Sequence, residues 1–445
     1  MNPDSQFDAV VAGGGVAGSA ATAALSQLGY RVALVEPGMD ASRRLAGELV
    51  HDTGAAALAE LGLLASACDG CQTRVAGFSI RFGGAAESQV VRLDYRLGGA
   101  AAFAVEHGLL RQRLLDAVCR LPGVSLLSGA RLTGVDLSAR DWAAVRISRS
   151  TGEIELRTRL LVGADGASSP AARFAGMASS RQRVSTLFGI LLHGKSLPDP
   201  EYGHVFLGGR GPVLAYPVCR DAVRVMFDVP ASPDGPPGAA ACREGLQALP
   251  EPFRGDVAQT LAHSRVMASD SYSAATREIT RGRLVLVGDA AGCCHPLTAT
   301  GLTVCARDAV RLRDALRDTG GDIARALPLY ARRRRAPQRT RLVLARALYE
   351  VFCGQTPESR LMRDGLREYW SGSGKRCARS MALVSTAEDR LWVMLLELAH
   401  VMLCSFGARV AESWRARRFS PSQTRIVVGL SRLVLRHAGE ILRTT

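Results

Sequence analysis

Between Arg283 and Leu302 the chain reads RLVLVGDAAGCCHPLTATGL. An apolar strand ends at Gly288-Asp289, and Pro296 to Gly301 turns the chain into a helix predicted over Leu302–Leu316. A carboxylate at the carboxyl end of a strand can bond a polyol hydroxyl. A helix N-terminus facing a redox ring stabilises negative charge on it. Taken alone, Asp289 is also readable as an ordinary helix cap. A second set of residues lies at the other end of the chain, over Asp8–Glu36. Phe7–Ala12 is a short apolar run bounded by glycine, the pattern of a buried parallel strand. Gly13-Gly14-Gly15-Val16-Ala17-Gly18 follows, then a helix predicted over Ser19–Leu28 and a strand over Tyr30–Val35 that ends at Glu36. Gly13 permits a tight turn, Gly15 lets a pyrophosphate approach the backbone, and Gly18 lets the helix pack close to the strand. Val16 and Ala17 lead into a helix whose free N–H groups suit phosphate. Glu36 is placed to accept hydrogen bonds from ribose hydroxyls. A glycine-rich turn alone is weak evidence. With strand, helix, strand and terminal acid in order it reads as a dinucleotide site. Paired with the Asp289 segment it describes one flavin, its ADP half at the first motif and its ribityl chain and ring at the second.

These residues need elements to hold them. Arg159–Gly166 is another apolar strand, ending at Asp165-Gly166, and Ser168, Ser169 and Pro170 look like a helix start. The expected fold class is α/β. Residues 1–73, 100–180 and 275–330 build a Rossmann-like FAD-binding domain. Residues 74–99 and 181–274 form an inserted antiparallel sheet over the flavin face, with Ser232–Gly238 as a loop. Residues 331–445 form a helical region. Leu391–Phe406 is strongly apolar but contains Glu397 and His400, and it falls short of the ~20 residues of a spanning helix. Val427, Leu430, Val434, Ala438 and Ile441 recur at helical spacing beside Arg432, Arg436 and Arg443. Two readings stand for that segment: a helix lying in a membrane interface, or one packed on the core.

The length of 445 residues exceeds one simple core. The formal charge is +15, with the excess in arginine. No nucleic-acid reader motif accompanies it, so no nucleic-acid partner is expected. The basic residues concentrate in the last third beside apolar segments, which suits an anionic membrane surface; an arginine-rich proteome is the competing explanation. Met1–Gln6 is polar, so no signal peptide is expected and the location is read as cytoplasmic, peripheral on the inner face of the membrane. Cys68 and Cys71 make a CxxC without a second pair at zinc spacing, so no metal site is expected. Cys293 and Cys294 are adjacent and cannot form an ordinary disulfide without strain.

The landmarks resemble the flavoprotein monooxygenases of the para-hydroxybenzoate hydroxylase-like fold and, more narrowly, the squalene epoxidase family. The hallmark GDA…HPLTGGGM appears as Gly288-Asp289-Ala290 and His295–Leu302. R-x-x-G-E appears at Arg44–Glu48, and LP…GHV at Leu197–Val205. Pro212–Tyr216, Asp228–Pro230 and Tyr330–Leu348 continue the likeness. The resemblance implies FAD held by Glu36, Arg44, Leu132, Asp165, Gly288, Asp289, Pro296 and Gly301, with Leu302 replacing a methionine beside the ring. Leu109 stands where the family opens a helix with arginine, and Arg111 takes over that contact. Arg173 falls one place late for its motif. The resemblance further implies a lipophilic isoprenoid substrate, squalene by default. NADPH would be the electron source through a separate flavin or cytochrome-P450-type reductase. Oxygen transfer would come from the C4a-hydroperoxide of the reduced flavin. The protein positions substrate and keeps water out, so the lack of a Ser-His-Asp or metal constellation is no objection.

The departures concern the substrate. Where the family has glutamine and tyrosine near substrate and flavin, this chain has His51 and Phe78. That pair cannot make the same hydrogen bond: the phenol donor is gone and a titratable imidazole has come in. This keeps open a prenylated aromatic or another terpenoid as substrate. His51 is also readable as a surface or capping histidine. His204 and His295 are expected to bond backbone. Ala299-Thr300-Gly301 replaces three glycines, so the backbone there is less permissive. Two other classes remain on the table: a flavin-dependent reductase of isoprenoid double bonds, and a flavoprotein without turnover.

Overall fold

The computed structural model describes residues 6–38, 45–70, 72–83, 89–95, 101–177, 179–232, 239–276 and 278–415. Arg44, Cys71, most of the Ser232–Gly238 loop and the segment from Val427 to Ile441 lie outside the described residues.

Short apolar runs become the central parallel strands of an eight-stranded sheet, whose edge strand Thr280–Arg281 runs antiparallel to its neighbour. The order is Thr280–Arg281, Leu284–Leu286, Gly152–Gly163, Gln6–Ala12, Val32–Glu36 and Val124–Ser128. Ala143–Arg149 and Arg131–Asp136 pair off its side. Strands buried on both faces carry no alternation, which is why these segments read as unbroken Val/Leu/Ala runs. Helix Val16–Ser26 packs between the sheet and helix Gly301–Asp318. It begins at Val16, three residues before its expected start, with Gly15 as N-cap. Packing of Ala20, Ala21 and Ala24 in the core outweighs the poor helix propensity of Gly18. This is the α/β, Rossmann-like arrangement expected.

A second, seven-stranded sheet lies over it. Its order is Met267–Thr276, Ser179–His193, Ala222–Pro230, Val213–Cys219, Tyr202–Phe206, Gly77–Phe82 and Gln89–Asp94. One pairing departs from the antiparallel expectation: Gly77–Phe82 runs parallel to Tyr202–Phe206, with Tyr202 opposite Gly77. Alternation in sequence fixes which face a side chain takes, not the direction of a strand arriving from a distant segment. A small sheet of Leu49–Val50, Phe103–Ala104 and Thr73–Arg74 joins the two units.

In Ala222–Pro230 the alternation marks two different cores. Val223, Val225, Phe227 and Val229 pack with Phe253 and Val257. Arg224, Met226 and Asp228 face the opposite way, toward the first sheet, and all three are buried. The chain then continues as helices Ile323–Cys353, Pro357–Ser371, Gly374–Val384 and Leu391–Arg415. In the last, Glu397 turns inward to the Tyr369 hydroxyl and Arg379. Among the described residues no helix is long and apolar enough to cross a membrane.

Candidate active site

The expected cofactor residues separate into two groups. At the first, Gly13 sits at φ +102, and Gly18 comes so near that a Cβ there would meet the Gly13 carbonyl oxygen at 1.7 Å. Gly15 faces open space, with nothing within 4 Å of its Cβ position. Val16 and Ala17 form the first helical turn, side chains buried. Glu36 is already engaged inside the protein. Its Oε2 accepts from Gly14 N–H at 2.7 Å; its Oε1 accepts from Gly38 N–H at 2.8 Å and from Arg111 at 2.7 Å. About one of the four acceptor positions of a carboxylate is left for a ribose hydroxyl. Arg111 is therefore first a buried partner of Glu36, while its second guanidinium nitrogen, Nη1, is buried without a hydrogen-bond partner. Leu132 lies in the strand two residues beyond Ala130, whose N–H bonds the Glu36 carbonyl, and its side chain joins the core with Val35 and Val145. Asp165 spends both oxygens on its own turn, accepting from Ala171 N–H and from the hydroxyl of Ser169, the N-cap of helix Pro170–Phe174. An open cradle at Gly15, a helix N-terminus and an orphaned arginine donor fit the ADP half of FAD.

At the second group, Asp289, Pro296, Gly301 and Leu302 line one cavity of about 230 Å³. Burial pushes the Asp289 carboxyl up, against the pull of Arg341 and Arg334. Residues that the motif reading missed hold this loop. Asp308 accepts from Gly288 N–H at 3.1 Å and from Arg334 Nε at 2.8 Å. Arg334 also donates to the Ala291 carbonyl, Arg341 to the Gly292 carbonyl, and the Tyr330 hydroxyl to Leu286. The signal was the charge itself: arginines at Arg334 and Arg341, seven apart, lie on one face of a helix. A ribityl hydroxyl and a ring edge fit between Asp289 and the N-terminus of helix Gly301–Asp318.

The opposite wall is the seven-stranded sheet, contributing Phe78, Leu187, Val205, Leu214 and Met226. Two polar pins fasten it. Arg224 donates from Nε and Nη2 to the two oxygens of Glu48 at 2.9 and 2.8 Å, and the Tyr216 hydroxyl donates to Glu48 at 3.1 Å. Asp228 stands 3.2 Å from Nε2 of His295. Ser185 Oγ is 2.9 Å from the same nitrogen. The fold thus assembles a serine, a histidine and an aspartate that the sequence leaves 110 residues apart. They do not form a hydrolytic triad. Nδ1 of His295 accepts from Leu297 N–H, so Nε2 carries the proton and cannot take one from Ser185, and the carboxylate sits on the wrong nitrogen. His204 bonds the backbone of Asp199 and stacks on Phe206.

His51 is fully buried, which overturns its reading as a surface histidine. It does not line the cavity; Phe78 does, with its ring centroid 6.0 Å from that of His51. The expected loss of a phenol donor is also corrected. Tyr95, one residue past the end of the strand Gln89–Asp94 that pairs with Phe78, brings its hydroxyl to 2.6 Å from His51 Nδ1. Nor does the imidazole titrate near neutrality: burial pushes its pKa down to about 4, against a carbonyl contact from Thr298. His204 is pushed to about 4 by the same cause. Unfolded, both histidines bind a proton near pH 6.5, so the unfolded state gains protons first and stability falls as pH drops from 6.5 toward 4. For His51 the loss is about 3 kcal/mol across that window. Urea unfolding at pH 7.5, 5.5 and 4.5 checks this; a midpoint that holds constant in the native protein rules it out, and His204→Gln is expected to flatten the slope.

Comparison with known proteins agrees with this geometry. The family profile described as squalene epoxidase matches residues 157–416, more than half of the chain. Squalene epoxidase 3 of Arabidopsis thaliana is 26% identical over 415 residues, covering 91% of this chain and 79% of its own. Squalene monooxygenase SE2 of Panax ginseng is 29% identical over 430 residues, covering 91% and 76%. Among solved structures, HpxO of Klebsiella pneumoniae complexed with FAD superposes with a TM-score of 0.70 at 22% identity, over 86% of this chain and 99% of that one. PqsL of Pseudomonas aeruginosa, a probable FAD-dependent monooxygenase, gives 0.67 at 21% identity, over 78% and 97%. These two share the fold.

Proposed function

Because the chain belongs to the squalene epoxidase family, we propose that it inserts one oxygen atom from O2 into a carbon–carbon double bond of a lipophilic isoprenoid, with squalene the first candidate. The second oxygen atom leaves as water, with two electrons from NADPH delivered by a separate flavin or cytochrome-P450-type reductase. Bound FAD, once reduced, supplies the oxygen activation. The chain's own residues do the rest. Gly13, Gly15, Gly18, Glu36 and Arg111 hold the ADP half, and Asp289 with the N-terminus of helix Gly301–Asp318 orients the ring half. Phe78, Leu187, Leu214 and Met226 bind apolar substrate and exclude water. The observation that carries this reading is that the Asp289–Leu302 loop and the apolar sheet face enclose one cavity.

A second reading, an oxygenated isoprenoid or prenylated aromatic, is favoured by one feature. Ser271 Oγ is buried in the cavity wall without a hydrogen-bond partner. A hydrocarbon leaves that hydroxyl unpaired, at a cost of about 1–3 kcal/mol, whereas a substrate hydroxyl satisfies it. We also place the protein peripherally on the cytoplasmic side of a membrane; the attachment, not its side, is supported by helix Leu391–Arg415, where Trp392, Leu396 and Leu403 are 57, 51 and 68% exposed. The test is aerobic turnover of purified protein with FAD, NADPH, a flavin reductase and squalene in detergent, read by mass spectrometry. A product heavier by one oxygen atom, absent without O2, is expected. Bound FAD that releases peroxide without a squalene product transfers the assignment to the second reading, and prenylated aromatics then become the substrates assayed. A protein that takes up no FAD sinks both.

A further inference from the structure

Behind the cavity wall runs a chain of three hydrogen bonds among groups distant in sequence. The Tyr95 hydroxyl lies 2.6 Å from His51 Nδ1, and His51 Nε2 lies 2.8 Å from the Thr298 carbonyl oxygen. The His51 backbone N–H donates to Thr303 Oγ1 at 3.1 Å. The chemistry of the ends sets the direction of the relay. A carbonyl can only accept, so Nε2 carries the ring proton. Nδ1 is then a lone pair, and Tyr95 must donate to it. Burial keeps both side chains neutral, so neither end reverses.

The carbonyl at the end of this relay belongs to the peptide that enters Ala299. That residue sits at φ 51, ψ 22, in the left-handed region. Among the described residues only Thr386, at φ 62, is another non-glycine in the left-handed region. An alanine there costs about 1 kcal/mol or more relative to glycine, so the conformation persists only if its neighbours hold it. Two residues later helix Gly301–Asp318 begins, and its first residues line the cavity. The rotation of the Thr298–Ala299 peptide therefore aims the helix N-terminus.

We propose that Tyr95 is a positioning residue: its hydroxyl donates to Nδ1 and fixes the orientation of the His51 ring, His51 holds the Thr298 carbonyl, and the held peptide keeps Ala299 left-handed and the helix N-terminus directed at the cofactor. The arrangement separates two jobs by strand position. Phe78 presents a purely apolar ring to the cavity, while the hydroxyl sits on Tyr95, one residue past the end of the neighbouring strand Gln89–Asp94 and outside the cavity lining. At Phe78 itself substrate meets no donor, and the Tyr95 donor serves the loop instead. The effect on the cofactor rests on the reading that FAD occupies the cleft; the Tyr95–His51 hydrogen bond does not.

Two measurements decide it. In 15N-histidine-labelled protein without FAD, the His51 signal is identified by its loss in His51→Gln. A single Nε2-protonated tautomer is expected in both wild type and Tyr95→Phe, because the Thr298 carbonyl sets it, while the Nδ1 resonance is expected to move to the position of a free lone pair in Tyr95→Phe. An Nδ1 resonance that does not move in Tyr95→Phe, or an Nδ1-protonated ring in wild type, overturns the relay whether or not FAD binds. In FAD titrations, Tyr95→Phe is expected to weaken binding about tenfold, the loss of one buried hydrogen bond's worth of order. His51→Gln, which keeps an acceptor toward Tyr95 and a donor toward Thr298, is expected to stay within about threefold of wild type. Adding Ala299→Gly to Tyr95→Phe is expected to restore most of the affinity, because glycine adopts the left-handed turn without support. A Tyr95→Phe affinity within twofold of wild type, or no rescue by glycine, overturns the positioning role. Wild-type protein that binds no FAD refutes the functional reading and leaves the Nδ1 resonance to judge the relay.

Discussion

Gly18→Ala is expected to abolish FAD retention and to destabilise the protein by about 3 kcal/mol or more. The new Cβ would stand 1.7 Å from the Gly13 carbonyl oxygen, a backbone atom that cannot rotate away. Ordinary contact needs roughly twice that distance. Either helix Val16–Ser26 leaves the sheet or the Gly13 turn is displaced. The helix is packed on both sides by core residues, so the turn moves, and with it the N–H groups aimed at phosphate. Gly15→Ala supplies the contrast, because its Cβ points into open space. Its apo-protein is expected to melt within a degree or two of wild type while binding FAD far more weakly, since the methyl fills the cradle. Flavin-fluorescence titration and thermal melts of the two apo-proteins read both effects. Gly18→Ala protein that purifies yellow with wild-type affinity would falsify the close helix–turn packing.

Arg224→Met is expected to cost about 3–5 kcal/mol, a fall of roughly 3–5 °C in melting temperature, with loss of turnover. The reason is the partner left behind. Glu48 is buried, and Arg224 supplies two of the three hydrogen bonds it accepts. Removing the guanidinium strands a carboxylate against Tyr216 in a wall that excludes water. The double change Glu48→Leu/Arg224→Met is expected to recover most of the stability, because removing both charges also removes their desolvation cost. It is not expected to recover full activity. The pin fixes where the sheet sits above the Asp289–Leu302 loop, and an apolar contact slides where a bidentate ion pair does not. Stability and kcat are measured together for the three proteins. A single mutant as stable as wild type contradicts the buried pair; a double mutant with both properties restored contradicts the positioning role.

Both results bear on how much of this protein could be read before folding it. The glycine-rich turn, the strand–helix–strand around it, the Gly288-Asp289 strand end and the helix after it were legible in the chain. Each depends on neighbours within a few residues: a short apolar run, a glycine where a turn or close approach demands one, a switch of period from strand to helix. The two-layer character of the insert was legible from alternation. Partnerships were not. Glu36 reads as a ribose acceptor, and only the fold reveals that Arg111 and two backbone N–H groups occupy it. Nothing near them in the chain announces that Arg224 and Asp228 meet Glu48 and His295 from the other unit. Phe78 reads as a lost phenol, and Tyr95, seventeen positions on, returns the hydroxyl through strand pairing. Sequence by itself determined the elements of an FAD-binding fold, because those are local requirements of turn geometry and burial. Tertiary structure alone decided which charges are paired, which tautomer His51 holds and which ring lines the cavity, because hydrogen-bond partners are chosen by distance in space and these lie 44 to 252 residues apart in the chain.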